Sequence, residues 1–370
     1  MKFSCESTLL AKGVNIVKKA ISSSPNAPIF SGIHLILKDN QLEMVAMDIN
    51  FFMSDVIEVK GQIEGDILVP AKSFADLLAK FDKEEIVLEK DDNDTELNII
   101  SQKGNFNIPL MDKSDFPPFP EFNGQQTLVL PEDKIGDLIK KSVYACSQDE
   151  SRPLFTGVLS EKKGQTITFV GTNTHRLAIK TSIIDTADDS EFNMVIPSRL
   201  LREISNNIGK EVPEEVEISL QNRQILVKIG KVKIISSLIE GSFPDYRRVV
   251  PPSFSTKTVF KKMDMEKAIQ RVALFSKDDY SIIRLSVTPD AITLTSGISD
   301  LGQGKEVVDC QTTGEGLNIA FNSKYVMDIL KNSSSDEIVM QTNNSLSPSC
   351  FNPVGEDDYI YIVTPVRVIF

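Results

Sequence analysis

Histidine, cysteine and the carboxylates build most active sites, and this chain spaces them poorly for chemistry. Among 370 residues there are two histidines. His34 sits inside an apolar run and His175 in a turn, so a histidine-rich metal centre is impossible and a catalytic triad would rest on His175 alone. Cys5, Cys146, Cys310 and Cys350 are scattered without a Cys-x-x-Cys and read as reduced thiols, mostly core. Gly302-Gln-Gly304-Lys305 has the outline of a phosphate loop. Glu306, however, stands where Ser or Thr is required, and Ser299 where the first glycine belongs. The abundant Asp and Glu fall in hairpin turns and on helix faces, where solvated surface is their ordinary role. With no nucleophile elbow and no dinucleotide fingerprint, a non-catalytic protein without metal or cofactor is expected.

The elements that would carry any site are told three times. With Pro70, Pro197 and Asn322 as first positions, the residue two places on is Lys72, Arg199 or Lys324. Four places on the residue is apolar (Phe74, Leu201, Val326), six places on acidic (Asp76, Glu203, Asp328) and seven places on apolar (Leu77, Ile204, Ile329). Apolar strand ends precede each copy, and offsets four and seven share a helix face, so each copy is a strand turning into an amphipathic helix. A second repeated segment, Phe3 to Ser22, Leu128 to Ser147 and Val259 to Ser276, gives each third another helix. A repeat this long means duplicated domains and not a solenoid. Proline-rich connectors, Asp115 to Phe122 and Ser242 to Phe254, set the expected domains at 1–125, 126–254 and 255–370. Strands outnumber helices about three to one in this reading, which makes each domain α+β with mostly antiparallel sheets.

Composition is that of an ordinary globular chain, 41% hydrophobic and 25% charged. Met-Lys-Phe-Ser-Cys-Glu begins a strand pattern and lacks the apolar core of a signal peptide. No apolar run reaches the roughly 18 residues of a membrane span, so a cytoplasmic location is expected. The net charge of −12 argues against a nucleic-acid partner only while it is read as one number. Segments 7–24, 71–84, 131–146, 197–210, 264–277 and 322–333 hold 17 Lys and Arg against 10 Asp and Glu, a surplus of 7 that leaves −19 elsewhere. Basic helices on an otherwise acidic body can gather into one positive surface. On charge alone, cations that merely solvate an outer helix face would look the same.

Four stretches carry a resemblance. Thr172-Asn-Thr-His-Arg-Leu-Ala178, Gly241-Ser-Phe-Pro-Asp-Tyr-Arg-Arg-Val249, Arg152-Pro-Leu-Phe-Thr-Gly157 and Val363-Thr-Pro-Val-Arg-Val368, together with the threefold repeat, resemble the bacterial DNA polymerase III beta subunits, the sliding clamps. The resemblance implies three domains of the DNA-clamp fold, each with two helices on antiparallel sheets. It also implies a head-to-tail homodimer forming a six-domain ring around double-stranded DNA, independent of sequence. Partners implied are the replicative polymerase, the clamp loader and other proteins docking through short peptides containing Gln, Leu and Phe.

Position by position, the implied peptide groove comprises Phe155, then Thr172, Thr174, His175, Arg176 and Leu177. Pro244, Arg248, Val249 and Pro348 continue it, and Ile362, Val363, Thr364, Pro365, Val366 and Arg367 complete it. Phe155 stands where leucine is more usual, and Ile369-Phe370 extend past the common family end. Helix placement nominates Lys12, Lys80, Lys141, Arg202, Arg271 and Lys331 to face DNA. Gln148 matches a family DNA contact, whereas Ser24 replaces a family arginine. The dimer interface is expected to bring Phe106 and Ile108 against Leu274 and Phe275 of the other copy, with Lys103 facing Asp300 or Glu306 at the rim. Two other readings stay open on residues alone: a hydrolase centred on His175, and a multidomain ligand-binding adaptor that does not contact DNA.

Overall fold

The computed structural model describes residues 1–21, 28–90, 95–122, 127–185, 191–209, 215–276, 281–297, 300 and 302–368. Ser24, the Asp91 to Asp94 turn, the boundary at Gln125 and the Ile369-Phe370 extension lie outside them. All six expected helices form: α1 (Ser7–Val17), α2 (Ala71–Leu78), α3 (Glu132–Ser142), α4 (Ser198–Asn207), α5 (Lys262–Ala273) and α6 (Ser323–Asn332). The repeat predicts their buried faces. Phe74, Leu201 and Val326 at the fourth offset are each at most 1% exposed, and the cations Lys72 and Lys324 are exposed. In α6 the Asn322 side chain accepts the Lys324 amide at 2.9 Å and closes the helix start.

The chain forms two compact units, residues 1–132 with 206–238 and residues 133–205 with 239–370. In the first, a five-stranded sheet runs Lys60–Ile63, Lys2–Glu6, Glu85–Glu89, Glu96–Ile100, Asn105–Pro109. An eight-stranded sheet in the same unit is continuous because Val232–Ser237 pairs with Phe51–Glu58, Ile234 opposite Met53. In the second unit, a twelve-stranded sheet is continuous through the pairing of Arg176–Ile183 with Tyr359–Val363. The units therefore cut across the expected thirds: the middle third gives strands to both, since hydrogen-bonded sheets do not stop where sequence copies do. Every named strand pairing is antiparallel, as the hydrophobic alternation predicts.

Local chemistry explains several details. Asp39 and Asn40 take the left-handed backbone of a two-residue hairpin loop, φ 48° and 60°. The final strand ends at Val363, and Pro365 just beyond it has no N–H to donate to a ladder. Cys5, Cys146 and Cys350 are buried, and burial pushes each thiol up to about 12. Cys310 is half-buried. No helix among the described residues is long and apolar enough to cross a membrane.

Gly171 marks where α3 docks on its sheet. A Cβ there would lie 2.2 Å from the Ser142 carbonyl oxygen, a backbone atom that can only move with the helix end. Gly171→Ala should therefore lower stability by about 1–3 kcal/mol through overpacking, read as a fall in melting temperature.

Candidate peptide groove, basic helices and edge strands

Beside the last strand of the second unit lies a cavity of about 200 Å³, lined by Phe155, Thr172, Thr174, Arg176, Leu177, Phe243, Pro244, Asp245, Tyr246, Val249, Ile362 and Thr364. Strand register builds its floor, with Thr172 opposite Leu177 and Leu177 opposite Ile362. Both floor residues belong to one buried cluster with Leu159, Val170, Val195 and Tyr246. Phe155, in the 3₁₀ turn Pro153–Thr156, meets Phe243 edge-on with ring centres 6.0 Å apart. The opposite wall is the Gly241 to Val249 loop, where Asp245 accepts the Arg247 amide and Tyr246 donates its hydroxyl to Glu161 at 2.8 Å. Burial, then the hydrogen bond to Glu161, holds the Tyr246 phenol well above its usual range, so it stays a donor.

Several polar groups around this cavity are already engaged, although the buried Arg176 Nε has no partner among the described residues. The Thr172 hydroxyl donates to the Arg176 carbonyl at 2.6 Å and accepts the Thr174 amide at 3.1 Å. The Arg176 guanidinium donates to Asp328 and to the Tyr144 carbonyl. An incoming apolar side chain gains about 25 cal/mol per Å² buried. At this volume the cavity suits a side chain or two and not a cofactor, whose sites span roughly 300–1,000 Å³. Larger clefts exist, among them one lined by Glu6, Lys60, Lys83 and Glu85 and one lined mainly by Ser, Thr, Gly and Asn residues around Asn318 and Asn343.

Nine expected groove residues line the cavity: Phe155, Thr172, Thr174, Arg176, Leu177, Pro244, Val249, Ile362 and Thr364. Phe243, Asp245 and Tyr246 join them, and only their place in the Gly241 to Val249 stretch could have signalled it. His175 is exposed at the rim, where its carbonyl accepts the Thr364 amide. Arg248 is exposed and bonds Asp245 at 3.1 Å. Val366 and Arg367 line a separate cleft with Asn318 and Leu346, and Pro348 and Pro365 are half-buried outside the cavity lining. One expectation is corrected. Val363 is fully buried in another core cluster, because side chains alternate along a strand and Ile362 takes the groove side. Arg176 is 7% exposed and paired with Asp328, and forms part of the cavity wall. No carboxylate among the described residues bonds the His175 ring, and no cluster of three or more metal-ligating side chains occurs among them.

Thr174 is strained. Its φ of 76° is left-handed, unusual for a β-branched residue and costing ~1–3 kcal/mol.

Of the residues expected to face DNA, Lys12, Lys80, Gln148, Arg202 and Lys331 are exposed. Arg271 is exposed too, but Glu306 takes it in a two-pronged bond at 2.5 and 3.1 Å, so its charge is matched locally. Lys141 is corrected outright. It is 5% exposed and paired with Asp137 at 3.1 Å and Glu356 at 2.5 Å. Lys180 joins from the sheet, reaching Asp137 at 3.1 Å and Asp358 at 2.5 Å. Burial works against both charged forms, but the Glu356 and Asp137 hydrogen bonds raise the Lys141 pKa. Those from Lys141 and Lys180 lower that of Asp137.

The interface candidates divide similarly. Phe106 is 39% exposed on Asn105–Pro109, the edge of its sheet, and meets Phe81 edge-on at 5.5 Å. Ile108 is corrected: it is 6% exposed and faces inward, since it pairs opposite buried Leu97. Leu274 is 72% exposed just past α5, and Phe275 lies against Gly304. The Lys305 to Asp309 half of the strand Lys305–Thr313 has a ladder partner on one side among the described residues, with Val307 58% exposed. Glu306, one expected partner of Lys103, is engaged by Arg271.

A thrice-repeated α+β unit with six helices, long antiparallel sheets and a small apolar cavity beside its last strand is the build of a sliding clamp. Three family models match: the DNA polymerase III beta subunit N-terminal domain over residues 1–120, the central domain over 129–245 and the C-terminal domain over 247–367. The chain belongs to the DNA polymerase III beta subunit family. It is 29% identical over 391 residues to the beta sliding clamp of Synechocystis sp., covering 100% of both chains. The solved DNA polymerase sliding clamp of Bacillus subtilis shares 27% identity at TM-score 0.91 over 100% of both chains. The beta chain from Streptococcus pneumoniae shares 25% at TM-score 0.93, covering 99% of this chain and 100% of that one.

The Lys141 cluster makes an acid-range prediction. A carboxylate whose folded pKa is depressed contributes fully above its unfolded value, near 4, and loses that contribution as pH falls through the folded one. Asp137→Asn should therefore flatten the decline of melting temperature below about pH 4 and lower the melting temperature at neutral pH.

Proposed function

We propose that this chain works as a non-catalytic homodimeric ring in the cytoplasm. Two copies of domains spanning about 1–125, 126–254 and 255–370 enclose duplex DNA and tether the replicative polymerase. What carries the reading, beyond family membership, is the charge partition: a surplus of 7 positive charges on the helical segments of a chain whose total is −12. Helix cations such as Lys12, Lys80, Arg202 and Lys331, with Gln148, attract phosphates through water and mobile counterions without reading bases. Such a field has no preferred position along the axis. The ring slides, and topology alone keeps it on, while the acidic remainder repels DNA elsewhere.

Closure rests on two open strand edges. Asn105–Pro109 of one copy meets Lys305 to Asp309 of the other, with Phe106, Leu274 and Val307 packed across the seam. Partners, among them the polymerase and the clamp loader, dock peptides containing Gln, Leu and Phe, whose apolar anchor fills the cavity between Phe155, Leu177 and Ile362.

Retention on closed circular DNA tests the ring: the loaded protein should stay bound and be released when the circle is cut. Equal retention on linear and circular DNA would refute encirclement. For the seam, Phe106→Ala with Leu274→Ala should shift the sedimenting species from about 82 kDa, twice the 41.1 kDa chain, toward a single chain. An unchanged mass would remove both residues from the interface.

A further inference from the structure

The turn Thr172 to Arg176, between strands Thr166–Thr172 and Arg176–Ile183, forms the rim of the proposed groove and holds its one left-handed non-glycine residue, Thr174. Turns usually place glycine at a left-handed position, because a Cβ there crowds the backbone. Something must hold the turn against that preference. Within the turn, the Asn173 side-chain oxygen accepts the amides of His175 and Arg176, each at 3.0 Å. Those two bonds fix the direction of the Asn173 amide, and its nitrogen then donates to the Tyr325 hydroxyl on α6 at 3.2 Å. The Tyr325 ring lies under the Arg176 guanidinium, 4.7 Å from ring centre to charge centre, and the same guanidinium is gripped by Asp328, one turn further along α6. Tyr325 is itself fixed, since its carbonyl accepts the Tyr361 hydroxyl at 2.9 Å.

The geometry points to Tyr325 and Asp328 of α6 as positioning residues that lock the Thr172 to Arg176 turn in its left-handed form, so that the groove rim is pre-shaped before any peptide arrives. This rests on the groove reading above. Neither residue lines the cavity. Tyr325 acts through Asn173, and Asp328 through Arg176. Pre-shaping removes an ordering cost from peptide binding, so loss of the brace weakens affinity. The bracing helix also carries Lys324 and Lys331, both exposed, so the helix proposed to face DNA sets the rim of the partner site.

Tyr325→Phe deletes only the hydroxyl and is the test. In the full-length protein, amide exchange at His175 and Arg176 should quicken about tenfold, and the dissociation constant for a short fluorescein-labelled peptide containing Gln, Leu and Phe should rise about tenfold. Adding Thr174→Gly, which accepts the left-handed backbone without a Cβ clash, should restore affinity to within about twofold. A merely structural tyrosine would lower the melting temperature and gain nothing from glycine at 174. Asp328→Asn should weaken the peptide in the same direction. Unchanged exchange at the two amides, or a binding defect that Thr174→Gly fails to repair, overturns the inference. If the unsubstituted protein does not bind the peptide, the groove reading fails instead, and exchange at the two amides decides the turn on its own.

Discussion

The pairing of Arg176–Ile183 with Tyr359–Val363 is the interaction on which the working surface depends. Backbone amides at a strand edge must find partners, and here they find them across roughly 180 residues of chain, at an entropic cost that grows only slowly with loop length. One ladder thus joins the middle of the chain to its end, sets Leu177 opposite Ile362 and delivers Thr364 to His175. A cavity made of residues so distant in sequence exists because the sheet is continuous. Where sheets stop, at Asn105–Pro109 and along the Lys305 to Asp309 half of Lys305–Thr313, backbone groups have a ladder partner on one side among the described residues.

Charge is handled in two opposite ways. Lys12, Lys80 and Lys331 are exposed to water. Lys141 and Lys180 are withdrawn among Asp137, Glu356 and Asp358. Withdrawal costs desolvation, and it is tolerable only because every charge meets an opposite one; deleting one partner would be far worse than replacing all. The cluster binds α3 to the turn before Tyr359, where the Tyr144 and Tyr359 hydroxyls also meet. Groove and cluster therefore flank the same final strand.

Much of this was legible in the residues. The recurring cation, apolar and acidic offsets after Pro70, Pro197 and Asn322 located three helices and their buried faces, because helical periodicity is a local property. Lys141 was misjudged because helix placement alone does not say which way a cation points; its partner Glu356 lies 215 residues away and only the fold brings it near. Ile108 and Val363 fell to the two-residue strand period, in which a shift of one position exchanges groove for core. The division into two compact units followed from ladders such as Ile234 with Met53, which no hydrophobic pattern specifies. The backbone angle of Thr174 had no signal at all, since threonine is the residue a reader would least place there.

The burial of three of the four thiols has a practical corollary. Cys5, Cys146 and Cys350 are closed to reagents by burial, which also raises each thiol and so disfavours the reactive thiolate. Cys310 alone is half-open, on the very strand whose other half offers an unpaired edge. A maleimide dye would therefore find Cys310 the most accessible thiol without any engineered cysteine, giving a native fluorescent reporter on that strand.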